Sequence, residues 1–144
     1  MRGAYCLIMR LPGERLIAVG KNPPVTFPAG HYCYVGSAMN SLEKRTCRHA
    51  SRVKKLRWHI DWLLEHAELR EIKTIESQER IECRISRDVA EIADGIPMRG
   101  FGSSDCRTCK AHLYHFRDNP SERIDKLVRK WKSSLGHTRR AGKG

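Results

Sequence analysis

The chain has 144 residues, of which 40% are hydrophobic and 31% charged, a size and composition that suit one globular domain and exclude a disordered chain. Its 28 lysines and arginines outnumber 16 acidic residues, and the net charge of +12 favours a polyanionic partner, nucleic acid before membrane, with solubility alone as the alternative. The positive charge lies in residues 1–60 and 95–144, on either side of an acidic middle, which predicts one basic face.

No stretch resembles a membrane span or a secretory leader. The sequence contains no run of about 18 apolar residues, and the apolar patch that follows Met1 is too short for a signal peptide. The six cysteines need not act as disulfide staples in a chain large enough to bury its own core. We therefore expect a cytoplasmic protein with mostly reduced thiols.

The N-terminal part predicts three consecutive strands. Ala4–Leu11 is apolar and ends at a Pro-Gly turn, after which Arg15–Val19 forms the second strand of a hairpin. Lys21–Gly30 contains three prolines and is predicted to be a loop, and His31–Ala38 is the third strand. Three strands with no helix between them indicate an antiparallel sheet.

Two helices are predicted next. Asn40 and Glu43 form a capping-box pattern, so the first helix begins at Asn40 or Ser41 and ends near Val53. The second helix covers Arg57–Glu65, with apolar residues along one side.

The C-terminal part predicts strands and helices in alternation. Leu69–Ile75 alternates apolar and charged residues, as an exposed edge strand does, and Gln78–Ala93 has helical periodicity. A loop follows over Asp94–Thr108, and Ala111–Phe116 is the last predicted strand.

The final helix has a clear start signal. Asn119 is a cap, Pro120 suits the first turn and Glu122 follows, and the helix is predicted to end near Ser133. The sequence therefore predicts a single domain over 1–135 and a basic, disordered tail over 136–144.

Two short motifs on the first and third strands carry a resemblance to a known family. Gly3-Ala4-Tyr5 and Tyr34-Val35-Gly36 lie at strand spacing, and Arg45 and His49 share a face of the next helix. Together they resemble the signature of the GIY-YIG nuclease superfamily. Four downstream blocks extend the similarity over nearly the whole chain, to a little-characterised archaeal and bacterial branch that is sometimes fused to DNA-repair glycosylase domains: Phe27–Gly30, His59–Leu63, Glu82-Cys83 and Gly100–Cys106.

The resemblance implies an α/β (α+β) fold with a small central antiparallel sheet flanked by helices. It also implies an enzyme that hydrolyses DNA phosphodiesters, as in DNA repair. Tyr5 and Tyr34 would orient or deprotonate a water, Arg45 would stabilise charge on the phosphate, and His49 would share the proton transfer. A tyrosine has a pKa near 10, so it acts as a base only beside positive charge. Taken singly, Tyr5 fits a core strand better than a catalytic role, and Arg45 and His49 fit a solvated basic helix face better. The pattern of residues together favours the catalytic interpretation.

The resemblance also implies one Mg²⁺ or Mn²⁺ ion, held by a glutamate on the helix after the sheet. Glu82 matches that position, Glu79 and Glu91 are rivals, and a solvated helix face is the alternative for each. The superfamily's late asparagine has no clear counterpart here. Three residues are candidates to replace it: Ser103, Ser104 and Asp105.

A second metal site is compatible with the spacing Cys106-x-x-Cys109-x-x-His112, which suits zinc, with His115 or Cys83 as the fourth ligand. Only one C-x-x-C motif occurs. Ordinary loop thiols, or a contact of Cys83 with Cys106 without metal, are therefore the alternatives.

A dense basic run surrounds the end of the first predicted helix and predicts binding to backbone phosphates, without sequence reading and with strong salt dependence. Trp58 and Trp62 beside it fit the core better than a base-stacking role. The predicted nucleic-acid-binding residues are Lys44, Arg48, Arg52, Lys54, Lys55 and Arg57.

The sequence thus favours a divalent-metal-dependent DNA endonuclease with a DNA-repair protein as a compatible partner. The rival is a catalytically inactive nucleic-acid-binding module of the same fold. A zinc-stabilised protein–protein adaptor is the third hypothesis. The preferred DNA structure, DNA against RNA and the oligomeric state stay open at this point.

Overall fold

A computed structural model of the protein describes residues 1–38, 41–51, 56, 58–103 and 109–143, with side chains up to Ser134. The elements are β1 Gly3–Leu11, β2 Arg15–Ile17, β3 Val25–Phe27, β4 Gly30–Ala38, α1 Leu42–Ala50, α2 His59–Leu64, β5 Glu68–Glu76, α3 Glu82–Ile92, β6 Leu113–Phe116 and α4 Ser121–Lys143. Among the described residues, none of these helices combines the length and the apolar character that crossing a bilayer requires.

The central sheet has four strands in the order β5-β1-β4-β6, and every pairing in it is antiparallel. Helices cover it, so the predicted fold class is confirmed. β5 lies at an edge of this sheet, as its alternating sequence predicted. In the β1–β4 register Tyr5 lies opposite Gly36, and Leu7 lies opposite Tyr34.

Side-chain alternation along β1 and β4 gives the sheet two different faces. The tyrosine face carries Tyr5, Leu7, Tyr32 and Tyr34, and α1, α2 and Phe101 pack against it. The back face carries the intervening side chains, and α3 and α4 pack against it through an apolar cluster whose members include Cys6, Ile8, Val35, Ile85, Val89, Phe116, Ile124 and Val128. Tyr5 and Tyr34 therefore share the tyrosine face, whereas Glu82 lies on α3, which packs against the back face.

The predicted hairpin of the first two strands is wrong. Arg15–Ile17 pairs with Val25–Phe27 in a separate two-stranded sheet, while β1 pairs with β4 and β5. The predicted loop over Lys21–Gly30 therefore contains a strand. Its Val-Thr-Phe core favours extended backbone, and burial of Phe27 in the tyrosine-face core holds it there.

Three helix boundaries differ from the predictions. Ser41 caps α1 by accepting a hydrogen bond from the Lys44 amide (3.2 Å), and the helix ends at Ala50; Asn40 and Val53 lie outside the described residues. α3 begins at Glu82, four residues late, because the Ser77 hydroxyl accepts from the Glu79 amide (3.1 Å) and favours a turn there.

α4 begins close to the predicted start, where the Asn119 side chain accepts from the Ser121 amide (2.9 Å). It continues to Lys143, so the predicted end near Ser133 is wrong. No proline follows Ser133, and Gly136 and Gly142 each disfavour a helix by only about 1 kcal/mol. The division into a domain of 1–135 and a disordered tail stays a prediction.

Candidate functional site

Two glycines make room for the tyrosines of the tyrosine face. A Cβ on Gly36 would lie 2.4 Å from Cζ and Oη of Tyr5, so the Tyr5 ring occupies the space that any other residue would fill. Gly102 has a φ of +67°, and a Cβ there would lie 2.7 Å from Cε1 of Tyr34. The two rings, on neighbouring strands, have centroids 6.3 Å apart.

The helix after β4 brings a histidine onto this pair. His49 of α1 is 2% exposed, and its Nε2 lies 2.8 Å from the Tyr5 hydroxyl in a buried hydrogen bond. Its ring also lies near Tyr34, with centroids 6.4 Å apart. The structure therefore brings together Tyr5, Tyr34 and His49, as the motif spacing predicted.

Arg45 lies one turn before His49 and supplies positive charge. Its Nη1 donates to the Ser37 carbonyl oxygen (2.8 Å), and its guanidinium lies 4.5 Å from the centre of the Trp58 ring. Burial raises the pKa of Tyr5 above its usual range, although the charge of Arg45 and a hydrogen bond from it act in the opposite direction. Burial also raises the pKa of Tyr34. Both hydroxyls are consequently protonated at neutral pH.

Glu82 approaches the same end of the sheet from the back face. It is the first residue of α3, its side chain is 22% exposed, and its Oε1 accepts from the Ser37 hydroxyl (3.0 Å). Its charge also raises the pKa of Tyr5 and Tyr34, after the larger effect of burial. The rivals Glu79 and Glu91 are exposed.

Ser37 links the two sides of the site, a role that sequence reasoning missed. Its carbonyl oxygen faces Arg45 and its hydroxyl faces Glu82. The available signal was its place beside Gly36 at the end of β4, where the side chain of the next residue turns to the opposite face of the sheet.

The candidates for the late asparagine give little support for that role. Ser103 is 5% exposed, and its amide donates to the Gly100 carbonyl (3.2 Å). Ser104 and Asp105 lie outside the described residues.

The predicted nucleic-acid-binding residues divide into three groups. Lys44 is exposed on α1. Arg48 makes two hydrogen bonds of 2.9 Å to the carboxylate of Asp61, which is fully buried and also accepts from the Trp58 amide (2.9 Å). Arg48 therefore joins α1 to α2. The remaining predicted residues, Arg52, Lys54, Lys55 and Arg57, lie outside the described part of the chain.

A second cluster lies beside Glu82. The donor atoms of Cys83, Cys109 and His112 all lie within 4.8 Å of one another and could hold a metal ion. Cys83 thus joins the cluster, whereas Nε2 of His115 lies 2.9 Å from the Ala29 carbonyl oxygen. Cys106 lies outside the described residues.

Comparison with known proteins places the chain in a family. No curated protein and no solved structure matches it. The family described as "Domain of unknown function DUF123" matches residues 4–133, which include β1 to β6, α1 to α3 and the first half of α4. The chain therefore belongs to the DUF123 family, whose function is unknown.

Proposed function

We propose that this protein is a divalent-metal-dependent DNA endonuclease of the GIY-YIG type, acting in DNA repair. The observation that carries the proposal is a group of polar contacts at one end of the sheet. Tyr5 bonds to His49, Arg45 donates to the Ser37 carbonyl oxygen, and the Ser37 hydroxyl donates to Glu82. The charge of Arg45 also lowers the pKa of Tyr5 against the larger effect of burial. Two strands and two helices, β1, β4, α1 and α3, contribute to this group.

The basic residue of this group supplies charge for the phosphate. Arg45 presents a planar guanidinium, which suits two phosphate oxygens. A cation–π contact with the Trp58 ring holds this guanidinium in place. We expect it to stabilise the extra negative charge that develops on the phosphate during attack.

Glu82 fits the role of metal ligand. It is a single carboxylate that solvent reaches, with one oxygen fixed by Ser37, and Mg²⁺ in such sites keeps most of its waters. When bound, Mg²⁺ or Mn²⁺ supplies electrostatic stabilisation of the phosphate and of the leaving oxygen.

The raised tyrosine pKa values favour a relay over a resting tyrosinate. The attacking water gives its proton to the Tyr5 oxygen while Tyr5 passes its own proton to Nε2 of His49. The resulting hydroxide attacks phosphorus, and the bond from phosphorus to the leaving oxygen breaks. Tyr34, beside this pair, orients the water.

The test is nicking of supercoiled plasmid in Mg²⁺ or Mn²⁺. Arg45→Ala and Glu82→Ala should each reduce the rate by about 100-fold or more, as loss of one charge-stabilising group does. The matched controls are Arg15→Ala, an exposed arginine on β2, and Glu91→Ala, an exposed glutamate on α3, both of which should cleave normally. Normal cleavage by Glu82→Ala would overturn its assignment as metal ligand.

A second function, a catalytically inactive nucleic-acid-binding module, is favoured by one observation. Tyr5, Tyr34 and His49 are 2%, 8% and 2% exposed, so a substrate reaches them only if neighbouring segments move. Salt-sensitive DNA binding without nicking in either metal would establish this function instead.

A further inference from the structure

We infer that Cys83, Cys109 and His112 bind a zinc ion, and that this zinc site holds Glu82 in position through His112. The second part rests on the proposed function, because Glu82 is the residue assigned there to the catalytic metal. The first part stands without it. The cluster lies where the start of α3 meets the segment that leads into β6.

The geometry of the cluster suits zinc. Bond lengths of about 2.3 Å to sulfur and 2.0 Å to nitrogen put tetrahedral ligand atoms about 3.5–3.8 Å apart. Sγ of Cys83 already lies 3.8 Å from Nε2 of His112, and all three donor atoms fall within 4.8 Å. A decrease of at most about 1 Å in the distances between these three donor atoms would bring them to the spacing of zinc ligands. His112 is 3% exposed, so little water competes for its ring.

The chemistry of the donors separates this site from the carboxylate site. Two thiolates and one imidazole select zinc, whereas Mg²⁺ and Mn²⁺ prefer oxygen ligands. The adjacent residues Glu82 and Cys83 therefore belong to two chemically different sites, one suited to Mg²⁺ or Mn²⁺ and the other to zinc.

His112 is oriented to connect the two positions. Its Nε2 faces Cys83, while its Nδ1 lies 4.0 Å from Oε2 of Glu82. A histidine that binds metal through one ring nitrogen commonly donates its other N–H to a carboxylate, which fixes both groups. A zinc ion on Nε2 would leave the proton on Nδ1, directed at Glu82.

The backbone around His112 extends this connection to the tyrosine face. Its amide donates to the Phe101 carbonyl and its carbonyl oxygen accepts from the Val35 amide, both at 2.9 Å. Phe101 precedes Gly102, which lies against Tyr34. Zinc would thus join α3, β4 and the segment that covers Tyr34.

The first measurement is the metal content of the full-length protein, determined by inductively coupled plasma mass spectrometry. Purified wild type should contain equimolar zinc, and Cys83→Ser and Cys109→Ser should lose it. Cys47→Ser is the matched control, because Cys47 is exposed on α1, and it should retain full occupancy. Since a ligand variant that misfolds would also lose zinc, apo wild type is titrated with Co²⁺ as well, and a thiolate-to-cobalt charge-transfer band is expected. Wild type with neither zinc nor that band would overturn the inference.

Glu82→Gln tests the connection to the carboxylate. Because Glu82 supports a ligand without being one, this variant should bind zinc at full stoichiometry with an affinity about 10–100-fold lower, measured by competition with a chromophoric chelator. Unchanged affinity would overturn the positioning role. Zinc binding without nicking would refute the proposed function and support the zinc site. Nicking by a protein that never binds zinc would refute the zinc site and support the proposed function.

Discussion

The two faces of the sheet use the same strands for different purposes. On the back face the contacts are largely apolar, in a cluster that includes Val35, Phe116 and Ile124, and they depend on volume and apolarity. On the tyrosine face, Tyr5 depends on the absence of one Cβ at Gly36 and on a hydrogen bond to His49. The comparison predicts that substitutions on the back face mainly change stability, whereas substitutions beside Tyr5 mainly change the proposed reaction.

The largest effect on stability is expected on the back face. Ile124 of α4 is fully buried, so Ile124→Ala should lower the free energy of unfolding by about 2–5 kcal/mol, through lost apolar contact and the cavity that it leaves. Nicking per folded molecule should stay unchanged. Urea unfolding followed by circular dichroism measures the first quantity, and Lys126→Ala, exposed on the same helix, is the control. Loss of nicking in molecules that remain folded would show that the faces are not separable.

Gly36→Ala should show the opposite balance. The new Cβ would lie 2.4 Å from Tyr5, and overpacking of this kind lowers stability by about 1–3 kcal/mol. Displacement of the Tyr5 hydroxyl from His49 should reduce nicking much more than that loss of stability explains. Gly13→Ala is the control, because a Cβ there meets nothing within 4 Å. If Gly36→Ala keeps full nicking, the Tyr5–His49 contact has no part in the reaction.

The sequence predicted the elements whose periodicity is strong. β1, β4, the edge strand β5 and α3 were all found, because their apolar spacing matches what they bury. β3 was missed because the prolines around it indicate a loop, and the burial of Phe27 is a tertiary effect that local propensity does not contain.

The candidate site was predicted to a smaller extent. The spacing of Arg45 and His49 predicts a shared helix face, but it does not predict that Tyr5 and His49 are both buried or that burial raises the pKa of Tyr5. The choice between Cys83 and His115 in the cysteine–histidine cluster stayed open because the distance of Cys83 from His112 depends on where α3 meets the sheet. Such contacts follow from packing between distant segments.

The smallest effect is expected at the edge of the back face, where a lysine joins β5 to α4 by a polar contact. Nζ of Lys73 on β5 lies 2.7 Å from Oε2 of Glu71 and 2.5 Å from Oδ1 of Asp125 on α4. The hydrogen bond from Lys73 lowers the pKa of each carboxyl group. Burial alone would lower the pKa of Lys73, but its bonds to Asp125 and Glu71 together raise it.

These shifts fix the sign of the pH dependence. The carboxylates contribute stability above their usual pKa values of about 4, and that contribution is lost as the pH falls through their lowered values. Lys73 contributes below its usual pKa of about 10.4 and loses its contribution as the pH rises above that value. Lys73→Met should therefore flatten the acid side of the stability profile, measured by urea unfolding at a series of pH values, and leave nicking unchanged. Arg70→Met, which breaks the exposed Arg70–Glu68 pair, should keep the wild-type profile, because solvent screens that pair on both sides. If the acid side of the stability profile of Lys73→Met is unaltered, apolar packing alone joins α4 to the sheet. The difference between the two faces would then be larger than the polar contacts of Lys73 suggest.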